Sequence, residues 1–327
     1  MAIYSGLSAQ IGFAEEVTYG TYVAPTRFYE FLSEDVSKEI ERVESEALRA
    51  GTRTLRSDRW TPGKINVEGD VELELMTKGA GLMLKHMMGG VATTQPDAVN
   101  SPTVYKHTFT PDEVPTGLTC QVGRTSIDGV TRPFSYVGCV ISEWEMEAAV
   151  DDPVSLTVSL LGRDEDTAQT LATASYPANN KLYTFIHGSL TIDGTPLDVK
   201  EFSLSGENGL DDDRYFLGSQ LRKKPVQAEL LNFEGEVSTE FNNLTLYNKF
   251  LQGQEAALVL TFDSGVVIED ALTYKFVITA NVRFDGETPT VNGPEVLEQS
   301  IAFKCIDSGT GPGSAIKFEL FTDEATP

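Results

Sequence analysis

One stretch of the chain alternates acidic and apolar residues with a period of two. It runs from Val67 to Leu75 and carries an acid at every second position, namely Glu68, Asp70, Glu72 and Glu74. Successive side chains of a β-strand point to opposite faces, so this pattern predicts a half-buried strand with one acidic and one apolar face.

The same pattern returns in residues 233–241, with acids at Glu234, Glu236 and Glu240. Gly69 and Gly235 occupy the same place in the two stretches, which gives an offset of 166 residues (235 − 69). The pair Leu55-Arg56 upstream of the first stretch is repeated at this offset as Leu221-Arg222. We interpret the chain as two tandem copies of one β-rich unit.

Other apolar segments predict the remaining strands of each unit. They lie at residues 35–48, 118–122, 134–148 and 153–161 in the first unit, and at 181–192, 199–204, 258–262, 282–285, 294–303 and 315–321 in the second. Segment 35–48 also fits an exposed helix, but its counterpart 199–204 alternates clearly, so we predict a strand. Within 134–148, Glu143 and Glu145 form a second acidic face, whereas the aligned segment 282–285 is less acidic.

Each unit is also predicted to contain one short helix on its flank. Residues 76–88 place apolar side chains at helical spacing before Gly89-Gly90, and residues 242–252 do the same in the second unit. The methionines of the first helix could form a binding surface, but core filling is the commoner role of such a cluster.

The repeat sets the expected domain boundaries. The first unit covers residues 1–165 and includes an insertion at 90–116, rich in Thr, Pro, Ser and Asp, that the second unit lacks. A polar linker follows at 166–180, and the second unit covers 181–327. The length of 327 residues fits two domains of ordinary size.

A basic segment stands out at residues 48–64. It carries Arg49, Arg53, Arg56, Arg59 and Lys64, and the matching place in the second unit carries Arg214, Arg222, Lys223 and Lys224. Such a run is usually a solvated loop. The alternative is a projecting arm that docks on an acidic surface of a neighbouring copy.

The formal net charge of −24 limits the possible partners. An acidic surface repels phosphate, which argues against sequence-specific binding of duplex DNA. The acidity could simply aid solubility, or it could let DNA pass without adhering. The three cysteines form no CxxC pair and are expected to be small buried residues. Neither a secretory signal nor an apolar run of membrane-spanning length is visible, so no membrane partner is expected.

No arrangement of residues predicts catalysis, a cofactor or a metal site. His86, His107 and His187 lack ligand spacing, and no nucleophile elbow, Walker loop or dinucleotide fingerprint is present. Asp211-Asp212-Asp213 lacks the ligand spacing of a calcium loop. Neighbouring acids such as Glu72 and Glu74 could imitate a glycosidase pair, but rows of like charge indicate a surface instead. We therefore predict that the protein is not an enzyme.

Several short segments, in their order along the chain, resemble the major tail tube proteins of long-tailed, siphovirus-type bacteriophages. The resemblance covers nearly the full length and is carried by Leu7–Glu16, Thr26–Phe31, Leu48–Arg53, Val67–Val71, and Gly286–Pro289 with Asn292–Pro294.

The resemblance implies a mainly β fold of two tandem tail-tube-type β-sandwich or barrel units, each with one short flanking helix. It also implies a structural virion protein, assembled in the host cytoplasm, whose copies form stacked rings around a lumen that conducts DNA during ejection. Single-unit members form hexameric rings, so a duplicated chain is expected to form homotrimers with pseudo-sixfold symmetry. The expected partners are other copies of the chain, tape-measure and tail-end proteins, and passing double-stranded DNA without specific binding.

Two sets of residues follow as candidate sites. The acids expected to line the lumen are Glu68, Asp70, Glu72, Glu74, Glu143, Glu145, Glu234, Glu236 and Glu240. The residues expected to contact an adjacent subunit or ring are Arg49, Arg53, Arg56, Arg59, Arg222, Lys223 and Lys224.

Two alternatives remain at this stage. The first is another ring-forming virion part, such as a tail terminator or a baseplate protein. The second is a two-domain carbohydrate-binding or adhesion module, which would need exposed aromatic platforms. Trp60 and Trp144 are the only tryptophans, and an isolated Trp in a strand is more often a core residue.

Overall fold

Strands make up most of the structure, a computed structural model that describes residues 5–286, 288, 291, 293–294, 296–311 and 313–327. Two α-helices of eight residues each accompany the strands in these ranges. The mainly β fold class predicted from the alternating patterns is therefore confirmed.

The strands and helices occur in the following order along the chain. The first half contains β1 (Gln10–Glu15), β2 (Arg27–Tyr29), β3 (Phe31–Glu34), β4 (Ser37–Glu44), β5 (Trp60–Glu74), α1 (Gly81–Met88), β6 (Gly89–Thr94), β7 (Tyr105–Pro111), β8 (Leu118–Thr125), β9 (Thr131–Ala149), β10 (Ser155–Gly162) and β11 (Asp164–Asp166). The second half contains β12 (Gly188–Ile192), β13 (Thr195–Leu197), β14 (Glu201–Glu207), β15 (Leu210–Asp211), β16 (Val226–Gln227), β17 (Asn232–Glu240), α2 (Thr245–Gln252), β18 (Glu255–Glu269), β19 (Leu272–Asp285), β20 (Glu298–Cys305) and β21 (Ile316–Thr322). Short 3₁₀ turns lie at Gly6–Ser8 and Phe185–His187.

One antiparallel sheet runs through both halves of the chain. Its strand order is β4, β5, β10, β9, β14, β17, β20 and β19. The two halves repeat the same order of four strands, and they meet where Glu143–Ala149 of β9 pairs with Glu201–Glu207 of β14. We call this continuous sheet the main sheet.

Most of the remaining strands form a second layer, whereas β3 pairs with β5 of the main sheet and β15 pairs with β16 in a separate two-stranded sheet. In the first half, β1 pairs with β2 and β8, and β8 pairs with the first part of β9. In the second half, β18 pairs with β12 and with most of β19. Because β9 and β19 are long, each begins in the second layer and ends in the main sheet.

A single apolar core lies beneath the main sheet and extends across both halves. Trp144 on β9 sits near its centre, edge-on to Phe318 of β21 with ring centroids 5.6 Å apart, and 6.0 Å from Phe233 of β17. Gly206 on β14 lies directly opposite Trp144, and a Cβ added there would come within 2.3 Å of the indole ring. The absence of a side chain at Gly206 thus allows the indole to cover the junction between the halves.

The predicted insertion at 90–116 contains structure that its composition did not indicate. Strands β6 and β7 form a hairpin there, and β7 pairs with β21 near the end of the chain, with Phe109 opposite Phe318. The segment thus adds strands to the second layer. Its strand signal was missed because Thr and Pro dominate the surrounding residues.

The segment 166–180 packs against the first half. The Nε2 of Gln10 donates to the carbonyl of Ala172 over 2.7 Å, and the ring of Tyr176 lies edge-on to Phe28. The domain boundaries expected from the sequence stay a prediction.

Several element boundaries differ from the predicted ones. Helix α1 begins at Gly81 rather than 76, because Thr77 pairs with Lys181 and Gly79 adopts a left-handed conformation (φ 85°). Segment 181–192 is a strand only from Gly188 onward. Segment 294–303 is a strand only from Glu298, and Glu295 lies outside the described residues, as do parts of the resembling segments 286–289 and 292–294.

The predicted core residues are mostly confirmed. Met83, Met87 and Met88 are buried, and so are the free thiols of Cys120, Cys139 and Cys305. Trp144 is buried, which removes one of the two candidate platforms for a carbohydrate ligand. Trp60 is 47% exposed instead, because it lies at the outer end of the β4–β5 hairpin, where the Arg42 guanidinium covers its ring at 5.8 Å.

No helix among the described residues is long and apolar enough to cross a membrane.

Helix α1 contains a buried histidine that should make stability sensitive to acid. His86 is almost fully buried, neither ring nitrogen has a hydrogen-bond partner among the described residues, and the nearest carboxylate, Glu15, is held by Lys85 at 2.7 Å. Burial, together with the charges of Lys85 and Lys224, lowers the pKa of His86 from 6.5 to about 3. The unfolded chain therefore takes up a proton near pH 6.5 that the folded protein does not bind.

This difference predicts a loss of stability as the pH falls from 6.5 towards 3, and no contribution above that range. By pH 5 the loss amounts to about 2 kcal/mol, since one pKa unit corresponds to about 1.4 kcal/mol. Urea unfolding of the native protein and of His86→Leu at pH 7 and pH 5 checks this. The native protein should lose more stability than the variant; equal losses would contradict the assignment.

Candidate functional site: an acidic sheet face and two basic loops

The predicted acidic strand has the geometry that its pattern requires. On β5, Val67, Val71 and Leu73 are buried, as is Leu75 just after the strand, whereas Glu68, Asp70, Glu72 and Glu74 lie on the opposite, solvent-facing side. The same division holds on β17, where Phe233 and Val237 are buried and Glu234, Glu236 and Glu240 are exposed. On β9, Glu143 and Glu145 are exposed on either side of the buried Trp144.

The main sheet brings all nine predicted acids onto one face. Reading across the strands, one row contains Glu72, Thr157, Glu145, Ser205 and Glu234. The next row contains Glu74, Ser155, Glu147, Ser203 and Glu236. Within these two rows, acids therefore alternate from strand to strand with serine or threonine. We call this surface the acidic face.

This alternation reduces the electrostatic cost of placing so many acids together. Like charges directly opposite each other on paired strands are destabilising. Because neighbouring strands lie about 4.8 Å apart, a serine strand between two acidic strands separates the carboxylates by about 10 Å. That distance exceeds the screening length of about 8 Å at physiological ionic strength. In these two rows the carboxylates of neighbouring acidic strands are thus kept apart, whereas elsewhere on the face Glu207 lies directly opposite Glu143 and Glu240 directly opposite Glu298.

Lysine side chains lie beside the acids of β17. Lys200 lies 3.3 Å from Glu240 and 2.7 Å from Glu298, and Lys304 is the residue opposite Glu234 on the paired strand β20. On β5, Glu72 accepts a hydrogen bond from the hydroxyl of Ser33 at 3.0 Å. The remaining predicted acids face solvent, so their charges add to one field.

The structure adds three acids that were missing from the sequence-based set. Glu147 on β9 continues the row of Glu143 and Glu145, and Glu201 and Glu207 lie at the two ends of β14. Glu147 was detectable, because it follows Glu145 at the same period of two. The two acids of β14 were not, since their place depends on the pairing of β14 with β9.

A recess at one end of the acidic face is lined by acids of both halves. They are Glu68, Asp70 and Glu143 from the first half and Glu207, Asp212 and Glu229 from the second. Within the described part of the chain, no group of three or more His, Cys, Asp or Glu side chains is arranged to hold a metal ion.

The first basic segment forms the tip of a long hairpin. Strands β4 and β5 pair as far as Glu44 and Trp60, and residues 45–59 form a projecting loop that we call the arm. Residues 60–64 of the predicted basic segment belong to β5 instead. Arg49, Arg53 and Arg59 are exposed on the arm, whereas Arg56 donates two hydrogen bonds of 2.8 Å to its neighbour Asp58.

The second basic segment has a different environment. It lies in residues 212–225, which we call the second loop and which packs against the first half of the chain. Arg222 is only 3% exposed, and the ammonium of Lys224 donates to the carbonyl of Val114 at 3.0 Å, while Lys223 is exposed. Burial lowers the pKa of Lys224. The two basic groups therefore do not form one charged surface, because their loops take opposite roles, one packed and one projecting.

Comparison with known proteins identifies the family of this architecture. A family model described as phage tail tube protein matches residues 6–305, nearly the whole chain. Comparison with curated proteins gives no match. The matched range includes every strand of the acidic face and the arm, and it confirms the resemblance seen in the short sequence segments. The chain belongs to the phage tail tube protein family.

Proposed function

We propose that this structural component of the phage tail assembles into closed rings, that the rings stack into a tube, and that DNA passes through a lumen lined by the acidic face. Family membership supports the structural role in the virion. The observation that carries the ring is the pairing of β9 with β14, which joins two similar groups of four strands edge to edge.

The two ends of the main sheet support an interface of the same kind between chains. Strand β14 is paired on both sides, with β9 and β17, whereas β4, its counterpart beside β5, pairs only with β5 among the described strands. The outer edge of β4 also exposes the apolar side chains of Ile40 and Val43. An exposed apolar edge strand is a ready site for pairing with another chain.

The junction between the two halves of the chain indicates which part of a neighbouring chain would pair with the edge of β4. Ile141 faces Leu160 in the first half, and Phe284 faces Phe303 at the matching place in the second. The junction strand Glu143–Ala149 follows Ile141 in the first half, and residues 287, 289, 290 and 292 at the matching place of the second half lie outside the described residues. We propose that the β19 side of the main sheet in one chain joins β4 of the next.

Ring closure follows from repeating this contact. A head-to-tail interface closes into a ring when its rotation divides a full turn, and closure leaves no free sheet edge. Six four-strand groups are the number that the tail tube resemblance implies, and two groups per chain then require three chains. The main sheets together form a barrel around the axis.

The negative charge of the acidic face is our reason for orienting it towards the axis. Duplex DNA carries about one negative charge per 1.7 Å of its axis, so a negative wall keeps it from adhering while it moves. Tape-measure protein inside the tube and tail-end proteins at its termini are the further partners we propose, with assembly in the host cytoplasm before incorporation into the virion.

The free edge of β4 generates the first test of this proposal. Replacing Ile40 and Val43 with lysine places two charges on the edge strand, and we expect a folded monomer that forms neither rings nor tubes in negative-stain micrographs and sedimentation. The matched control replaces Val17 and Val99, which are exposed elsewhere, with lysine and should assemble normally. Tubes formed by the edge variant would contradict pairing through β4.

The orientation of the acidic face generates a second test. Glu145→Lys with Glu234→Lys should let assembled tubes retain short DNA duplexes at low salt, with nuclease protection that disappears as salt is raised. The control places lysine at Glu30 and Glu113, which are exposed but lie on none of the acid-bearing strands. Equal protection by both variants would place the acidic face outside the lumen.

A further inference from the structure

The second loop already shows how such a loop docks on a neighbouring group of strands. It crosses the outer end of β5, where the amide of Ile65 donates to the carbonyl of Gln220 at 3.0 Å and Leu221 forms a parallel bridge with Ile65. The Nε2 of Gln220 donates to the carbonyl of Pro62 at 2.9 Å. The loop of the second half is thus bound to the first half through backbone groups.

Side chains complete this docked contact. The hydroxyl of Tyr215 lies 2.6 Å from Oδ1 of Asn66 and 2.8 Å from the carbonyl oxygen of Ile65. The ammonium of Lys64 sits over the Tyr215 ring at 4.7 Å and pairs with Asp213. The Arg222 guanidinium lies near the same ring, 5.8 Å from its centre, and is buried. The docking site on the first half is therefore the segment Pro62–Asn66.

The arm is the counterpart of the second loop but does not dock within its own chain. Each lies at the tip of a hairpin that ends in a strand of the main sheet, and each contains a left-handed glycine, Gly51 (φ 81°) and Gly218 (φ 89°). Leu55 holds the place of Leu221 at the offset of 166 residues, yet Leu55 is 48% exposed.

A matching docking site lies uncovered on the second half. The same offset carries Pro62–Asn66 onto Ala228–Asn232, which precede β17 as the first segment forms the start of β5. Leu230 there is 93% exposed. Oδ1 of Asn232 is buried without a hydrogen-bond partner among the described residues, whereas Oδ1 of Asn66 has Tyr215. The Asn232 acceptor therefore lacks the donor that its counterpart Asn66 receives from the docked loop.

We propose that the arm of one chain docks on Ala228–Asn232 of its neighbour in the same ring, with Leu55 beside Leu231. This inference rests on the proposed ring. The internal loop reaches from its own hairpin back to the preceding group of strands, and for the arm that preceding group belongs to the neighbouring chain. Charge complements the fit, because Arg49 and Arg53 approach a site flanked by Glu229.

Cysteine cross-linking tests this contact directly. Leu55→Cys with Leu231→Cys should form an intermolecular disulfide in assembled tubes, giving covalent trimers on a non-reducing gel, since bridged strands bring Cα atoms within disulfide range. The internal pair Ile65→Cys with Leu221→Cys is the matched control and should close within one chain. The natural thiols are buried and should not interfere.

The outcomes separate this inference from the proposed ring. Tubes that form normally while the arm pair stays uncross-linked, with the internal pair closed, would overturn the arm contact and leave the ring intact. Ladders of species larger than trimers would also overturn it, because they would place the contact between rings. Failure of the native protein to form rings at any concentration would overturn the ring itself.

A charge variant provides a second readout that does not depend on disulfide geometry. Leu55→Glu should abolish assembly or raise the concentration it requires at least tenfold, with the subunit still folded by circular dichroism. The control is Val99→Glu, which changes an exposed apolar residue in another loop, and this variant should assemble as the native chain does. Unchanged assembly of Leu55→Glu would count against the arm contact.

Discussion

The pairing of β9 with β14 is the interaction on which the rest of the structure depends. It joins two groups of four strands into one sheet and so places the acids of β5, β9 and β17 on a single face. Gly206 and Trp144 fix its register, because the indole occupies the space that any side chain at 206 would need. A shift of one residue along this junction would turn the acids of one half inward, against the core.

Two features of the main sheet let the chain fold despite the concentration of negative charge on the acidic face. On one side, buried residues such as Phe202 and Phe303, which stack with ring centroids 6.0 Å apart, hold the strands from below. On the other, serine and threonine residues of β10 and β14 separate the carboxylates of Glu72, Glu145 and Glu234 by two strands. The negative charge of this surface does not make the fold more stable than neutral polar side chains would. This is consistent with a role in repelling a polyanion rather than in folding.

Local sequence patterns predicted much of this architecture, but they did not predict the pairing between segments that are distant in the sequence. The alternation in Val67–Leu75 gave the right strand and the right exposed acids, and the methionine spacing gave α1, since both signals depend on near neighbours in sequence. The junction between β9 and β14, the hairpin of residues 90–116 that joins β21, and the burial of Arg222 depend on contacts between distant segments. The charge of Arg222 suggested an exposed contact residue, but its loop docks on β5 and encloses it.

The central claim is that the junction within the chain is repeated between chains, with the acidic face turned to the axis. A cryo-electron microscopy reconstruction of assembled tubes tests it most directly. The account predicts rings of three chains in which β4 is paired with the neighbouring chain and Glu72, Glu145 and Glu234 point into the channel. A reconstruction with β4 unpaired, or with these carboxylates on the outer wall, would contradict it.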